Sequence, residues 1–342
     1  LLFADCLTAY ADLQYRGVWL KMAGPEDDGV SLDHNDNWQF FNPRAGLSWR
    51  MNQNSRLYAS AALGHREPGR SDIKELILDA NKASSAGAES RGVDIRPEKM
   101  LDIEFGYEFS TDKLAVSANV YLMEYWDMLL ETGKLSSVGY AIKENVPRSW
   151  RRGVEAAANW KPLSWMQVGG NLTLSTNKIH SYTAYYEMYD NMDEWNYLGQ
   201  HKVDFSNTDI LMSPSVTGTA TVTFRPFATS SKSLRSAYAT LNGKYVGRQY
   251  YDNTHSEERC IPAYFVSDLS LGYDFPLRRR TEPDQGSTIA LSLHINNLFN
   301  RMYYADAWVW RAYFQQDDLY YSDTGIYPQA PLNWMFKVAW RF

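Results

Sequence analysis

The side chains with the most chemistry to offer are aromatic and clustered. Tyr182, Tyr185, Tyr186 and Tyr189 fall in one short segment with Trp195 just beyond, and Trp308, Trp310, Tyr313 and Phe314 make a second group. Phenol and indole rings combine broad apolar area with a hydrogen-bonding tip, which suits a surface that grips a small ligand. The same rings would equally serve as an interfacial aromatic girdle. His65 and Arg66 join the ligand candidates, and His65 and His201 have the chemistry for a metal or haem contact. The histidines show no HExxH or paired spacing, Cys6 and Cys260 lack CxxC spacing, and there is no GxSxG elbow. Nucleophilic, redox and metal catalysis therefore leave no signature, so no cofactor and no enzyme activity are expected.

Composition limits what could hold these groups. Aromatics make up 15% of the 342 residues, yet mean hydropathy is −0.46, and no apolar run approaches the roughly 20 residues of a membrane helix. A formal charge of −6 gives no basic footprint, which excludes nucleic acid. High aromatic content at low hydropathy fits a transmembrane β-barrel, whose strands alternate lipid-facing apolar and lumen-facing polar residues.

Period-two segments follow one another along the chain. Leu7 to Leu20 alternates Leu7, Ala9, Ala11, Leu13, Tyr15 and Trp19 against Thr8, Asp12, Gln14 and Arg16. Further strands are expected at Trp38 to Met51, around Leu57 to Leu63, and at Leu101 to Phe109, with a fifth following Asp112. The rest are Trp150 to Trp160, Trp165 to Ser175, Val216 to Phe224, Ala237 to Tyr250, Tyr264 to Phe275, Thr288 to Phe299 and Leu332 to Phe342, about twelve in all. Compact connections such as Asn52-Gln53-Asn54-Ser55 and Ser110-Thr111-Asp112 alternate with long ones, about 126 to 148, 178 to 212 and 301 to 330. Short periplasmic turns and long outer loops are the habit of outer-membrane barrels, and a soluble sandwich has no reason to sort its loops so. The longish connection Pro276 to Ser287, with Arg278-Arg279-Arg280, is read as periplasmic. Ser71 to Lys82 has the helical spacing of Ile73, Leu76, Ile77 and Ala80 within an outer loop.

In the last segment Trp334, Phe336, Val338, Trp340 and Phe342 occupy every second position to the end, which resembles the C-terminal signal read by the barrel-assembly machinery. Upstream lie Asn296-Asn297-Leu298-Phe299-Asn300, Tyr303 and Gly325-Ile326-Tyr327-Pro328-Gln329-Ala330-Pro331. With Asn42-Pro43-Arg44, Leu57-Tyr58-Ala59-Ser60, His65-Arg66-Glu67-Pro68, and Asn145 followed by Gly153-Val154-Glu155, they resemble the TonB-dependent receptor family over nearly the whole chain.

That resemblance implies an all-β, antiparallel, up-and-down outer-membrane barrel of about 22 strands filled by a plug. Residues 1–342 would be its C-terminal half, with the plug, the first strands and the TonB-binding segment outside this chain. The native N-terminus would have been removed or lie on missing sequence. The resemblance further implies active import of a scarce, large nutrient, with energy delivered through TonB, ExbB and ExbD. Iron-siderophore stands first as cargo, with cobalamin, haem and oligosaccharide as alternatives. A passive pore and a twelve-stranded outer-membrane enzyme are the readings from other classes. Partners would be membrane lipid, the small-molecule nutrient and, where one exists, a surface lipoprotein. Arg44, Arg50, Asp102, Glu104, Asn119, His294 and Lys337 are expected to face the lumen or plug. Cys6 is expected near the periplasmic rim and Cys260 near the outer rim, too far apart to bond.

Overall fold

The computed structural model describes residues 2–4, 6–26, 29–85, 94–135, 141–229, 236–276 and 287–342. Its strands begin with β1 (Leu2–Ala4), β2 (Leu7–Met22), β3 (His34–Arg50) and β4 (Ser55–Arg66), and a helix α1 (Arg70–Ser85) follows. Next come β5 (Glu98–Ser110), β6 (Leu114–Leu135), β7 (Ala141–Leu163), β8 (Met166–Tyr189), β9 (Tyr197–Asp209), β10 (Val216–Phe224) and β11 (Tyr238–Val246). The chain ends with β12 (Gln249–Tyr250), β13 (Cys260–Ile261), β14 (Tyr264–Pro276), β15 (Thr288–Asn296), β16 (Tyr304–Phe314), β17 (Leu319–Pro328) and β18 (Asn333–Arg341).

Twelve of these are the staves of one antiparallel wall, paired in the order β2 to β8, then β10, β11, β14, β15 and β18. Among the described residues the path does not close: β18 pairs with β15 and not with β1 or β2. The expected twelve strands are therefore present, as an open sheet.

Alternation sorts each stave into two faces. Leu13, Tyr15 and Trp19 point outward and are 70, 71 and 72% exposed. Phe41, Leu47, Ile103, Phe105, Val120 and Val154 continue this bare apolar face, which only lipid would cover favourably. Trp334, Phe336, Val338, Trp340 and Phe342 continue it on the last stave. The other face is polar. Arg44 lies opposite Asp12, Glu104 opposite Ser60, Asn119 opposite Glu155, and Lys337 opposite Ser292. Tight turns hold the register at one end. Asn52 Oδ1 accepts from the Asn54 amide at 2.8 Å, and Thr111 Oγ1 accepts from the Leu114 amide at 3.0 Å.

Three expected long loops are corrected by the structure. Most of 126–148, 178–212 and 301–330 is strand: β6 and β7 continue upward as a paired hairpin, β8 continues and pairs with β9, and β16 pairs with β17. Above the membrane both faces of a strand can pack against protein, so lipid-type alternation stops while the ladder goes on. Two expected strands end early. The Ala237 to Tyr250 segment breaks after Val246, and the Thr288 to Phe299 segment stops at Asn296, because Asn297 turns left-handed at φ 51°. The helix forms as expected and slightly longer, with Ile73 and Ile77 buried. Nearly all of the Pro276 to Ser287 connection, including Arg278-Arg279-Arg280, lies outside the described residues. Cys6 and Cys260 are both free thiols.

The buried apolar core therefore sits above the staves. Leu130, Val146, Ile179, Tyr182, Ala184, Tyr186 and Ile210 pack together, with Val203, Phe205 and Tyr313 against them.

Candidate functional site

The outer hairpins fuse into a single wall. β16 adds to β8 in parallel, Ala312 opposite Glu187 and Phe314 opposite Tyr189, which joins the hairpins β8/β9 and β16/β17 into one four-stranded outer sheet. The Gln315 and Gln316 amides donate to the Tyr189 and Asp190 carbonyls at 2.9 and 2.8 Å. Aromatic rings fill this junction. Trp195 stacks on Trp310 at 6.0 Å, Tyr189 on Phe314 at 5.8 Å, and His201 on Tyr313 at 4.2 Å.

Beneath it lies a charge network that sequence reasoning missed. Arg311 is 2% exposed. Its Nη2 donates to the Thr132 carbonyl at 3.0 Å, its Nη1 lies 3.4 Å from Asp252 Oδ2, and its guanidinium stands 4.9 Å over the Tyr186 ring. Asp252 also takes Arg259 at 2.7 Å and accepts from the Thr254 hydroxyl at 2.7 Å. The Glu131 carbonyl accepts from Tyr182 and from Asn253, both at 3.0 Å. Three outer segments, 131–133, 251–259 and 307–313, are thereby tied through one buried guanidinium. Gly133 is left-handed at φ 87°, and a Cβ there would fall 1.7 Å from Arg311 Nη2, so glycine is required on both counts. Burial pushes the Tyr182 phenol up to about 12. Burial also raises the Glu131 carboxyl.

Beside this network opens a cavity of about 390 Å³, lined among others by Glu131, Tyr182, Asp252, Asp306, Trp308 and Arg311. One guanidinium, three carboxylates and an exposed indole converge on a volume suited to a small ligand. A second cavity of about 300 Å³ lies against the lumen face between Glu104, Asn119, Tyr121, Arg151, Glu155 and Asn177. Arg151 donates to the Ser213 hydroxyl at 2.8 Å. One oxygen each of Asp102 and Asn119 is buried without a partner.

The structure sorts the sequence candidates. All seven lumen candidates share the inner face. Arg44 pairs with Asp12 at 2.7 Å, Arg50 lies opposite Arg56, Asp102 opposite Ala62, and His294 accepts or donates between Ser270 and Ser292 at 3.0 and 3.1 Å. Of the aromatic candidates, Tyr182, Tyr185 and Tyr186 are buried: a two-faced strand above the membrane packs its tyrosines inward, and Tyr182 also lines the 390 Å³ cavity. Trp195 and Trp308 stay exposed, and Trp310 and Tyr313 are partly covered by their ring partners. His65 bonds Asn42 at 2.8 Å and stacks on Phe40 at 5.4 Å, and Arg66 pairs with Glu98 at 2.6 Å. Neither reaches the 390 Å³ cavity. Among the described residues no group of three or more His, Cys, Asp or Glu could hold a metal ion. Arg311 and Asp252 each left one faint trace in sequence, a cation among the aromatic residues of β16 and an acid just after paired tyrosines.

The Asn-Asn-Leu-Phe-Asn element has a structural role. Asn297 donates to the Arg301 and Ala330 carbonyls at 2.8 and 3.2 Å, and Asn300 Oδ1 accepts from the Leu332 amide at 2.9 Å. The turn thus clasps the end of β15 to the start of β18.

An antiparallel wall bare of cover outside, charged inside and built up at one end is a membrane β-barrel wall. The sequence model of the family described as TonB dependent receptor-like, beta-barrel, matches residues 18–298. The chain belongs to that family of outer-membrane receptors. No curated protein matches it. Among solved structures, a copper transporter, OprC, superposes at TM-score 0.65 with 14% identity, covering 98% of this chain and 45% of that one. The ferric-catecholate import receptor Fiu of E. coli K12 gives 0.59 with 14% identity, over 98% and 42%. The siderophore receptor PiuA of Acinetobacter baumannii gives 0.60 with 15% identity, over 96% and 40%. These likenesses concern the fold. The chain spans less than half the length of these receptors.

Proposed function

We propose that this chain forms the C-terminal half of the barrel of an active outer-membrane transporter that imports a scarce, large nutrient, an iron-siderophore first, on energy relayed from TonB. The observation that carries the reading is the two-faced wall itself: an apolar outer face, a charged inner face and, at the built-up end, a cavity joining Arg311, Asp306 and Trp308. The open edges of the sheet agree with further strands completing the ring, and the unpartnered oxygens of Asp102 and Asn119 agree with a lumen that holds a plug. Two of the three superposed receptors are named for ferric-catecholate or siderophore uptake. Specificity then resides in the outer cavity, and the staves carry no chemistry. The test is growth of wild type against a receptor deletion under limitation of iron-siderophore, copper, cobalamin, haem or oligosaccharide, each with and without TonB. A growth defect for one nutrient that also needs TonB supports the reading. Uptake of small solutes independent of TonB would mean a passive pore instead.

A further inference from the structure

The outer cavity holds more negative charge than its own walls answer. We propose that Glu131 and Asp306 make it a cation-selecting subsite, which holds a protonated amine of the cargo and turns away polyanionic iron complexes. The proposal rests on the transport reading above, in which specificity lies in this cavity.

The charged side chains of the lining fall into two sets. Asp252 is answered twice, by Arg259 at 2.7 Å and by Arg311 at 3.4 Å. Glu131 and Asp306 are different: among the described residues neither carboxyl makes an ion pair. Lys143, opposite Glu131 in the ladder, pairs with Asp72 at 3.3 Å instead. Asp306 Oδ1 accepts from the Ala307 amide at 2.8 Å. Burial raises the Glu131 carboxyl, Lys143 lowers it and Asp306 raises it again, so the two acids feel each other. A cation placed between them would relieve both the burial and the repulsion.

The rest of the lining agrees. Tyr251, Trp308 and Tyr327 add aromatic rings to the same cavity, and Tyr327 lies directly opposite Asp306. Rings combined with carboxylates recognise ammonium groups, through the ring quadrupole as well as through charge. Arg311 is 2% exposed, and its Nε has no acceptor. A buried donor left unpaired on a cavity wall calls for an oxygen from whatever fills the space. The occupant so described carries an ammonium group, an oxygen near it and no excess negative charge. A ferric tricatecholate is a trianion and would meet Glu131 and Asp306 with like charge. A ferric trihydroxamate is neutral at the metal, and a free amine on its chain makes the complex cationic.

The probes are ferrioxamine B, a ferric trihydroxamate with a free primary amine, and its N-acetyl derivative, which lacks only that charge. Affinity is read on the full-length receptor in detergent by quenching of tryptophan fluorescence. The amine form should bind about tenfold more tightly than the acetylated form. Asp306→Asn, on the exposed side, should lower that ratio about threefold. Glu131→Gln combined with Asp306→Asn should bring the two probes level. Should the double variant lack the heat-shifted gel mobility of a folded barrel, the ratio in Asp306→Asn alone decides. Equal affinities in the wild type, an unchanged ratio in the variants, no binding of either probe, or tighter binding of the tricatecholate ferric enterobactin would overturn the proposal. Loosened packing cannot imitate the expected result, since it weakens both probes alike. The transport reading is judged apart, by TonB-dependent growth on the nutrient panel, and it can hold while the two probes bind equally.

Discussion

On the staves, Leu13, Tyr15 and Trp19 stand bare on the outer face, while in the hairpins above them Tyr182, Ala184 and Tyr186 of one continuous strand are buried. The same hydrogen-bonded ladder makes both regions. What differs is the medium. Staves are held between lipid and a wet lumen, so each residue's face is set by register and single side chains matter little. The hairpins must build a core of their own, and they organise it around one buried guanidinium. Local substitutions should therefore be felt strongly above the membrane and weakly within it.

The largest effect should come from Asp252→Ala, which leaves Arg311 and Arg259 without their carboxylate. Removing one partner of a buried ion pair costs about 3–5 kcal/mol, read as faster hydrogen exchange over 131–135 and 251–261 with the staves unchanged. Equal loosening of the staves would erase the contrast.

Alkaline pH should act next. The Tyr182 phenol titrates near 10 when unfolded and at about 12 in the wall, so its contribution is full below pH 10 and lost as pH rises from 10 to 12. At about 1.4 kcal/mol per pKa unit this is roughly 2–3 kcal/mol. Tyr182→Phe should remove that part of the pH dependence of outer-hairpin exchange; an unchanged profile in the variant would assign it to another group.

Within the membrane, Gly153→Ala puts a Cβ 2.7 Å from the Leu174 carbonyl oxygen. Backbone cannot step aside as a side chain can, so a loss of about 1–2 kcal/mol is expected in urea unfolding from lipid. The smallest effect should be Arg44→Ala. Its pair with Asp12 is half exposed, and such pairs contribute under about 1 kcal/mol. A loss rivalling that of Asp252→Ala would show that the lumen face is as tightly organised as the outer wall.

The staves were legible because lipid imposes the strictest pattern on sequence. Leu13, Tyr15, Trp334 and Trp340 could be assigned their face from spacing alone, and Asp102, Glu104 and His294 theirs by the complementary parity. The hairpins were not legible, since Tyr182, Tyr185 and Tyr186 read equally as ligand surface or as interfacial girdle, and only their neighbours show them to be core. Arg311 and Asp252 lie 59 residues apart, and nothing local marks their meeting. The long segments read as loops because a strand covered by protein on both faces loses the alternation that lipid imposes.

Asn297 and Asn300 pin the two ends of the β16/β17 excursion to each other at its base. Whatever lies between residues 301 and 331 can then be exchanged or lengthened while β15 and β18 keep their register, so the lineage carrying this barrel could refashion its recognition surface in one piece, as a tool head is swapped on a fixed handle.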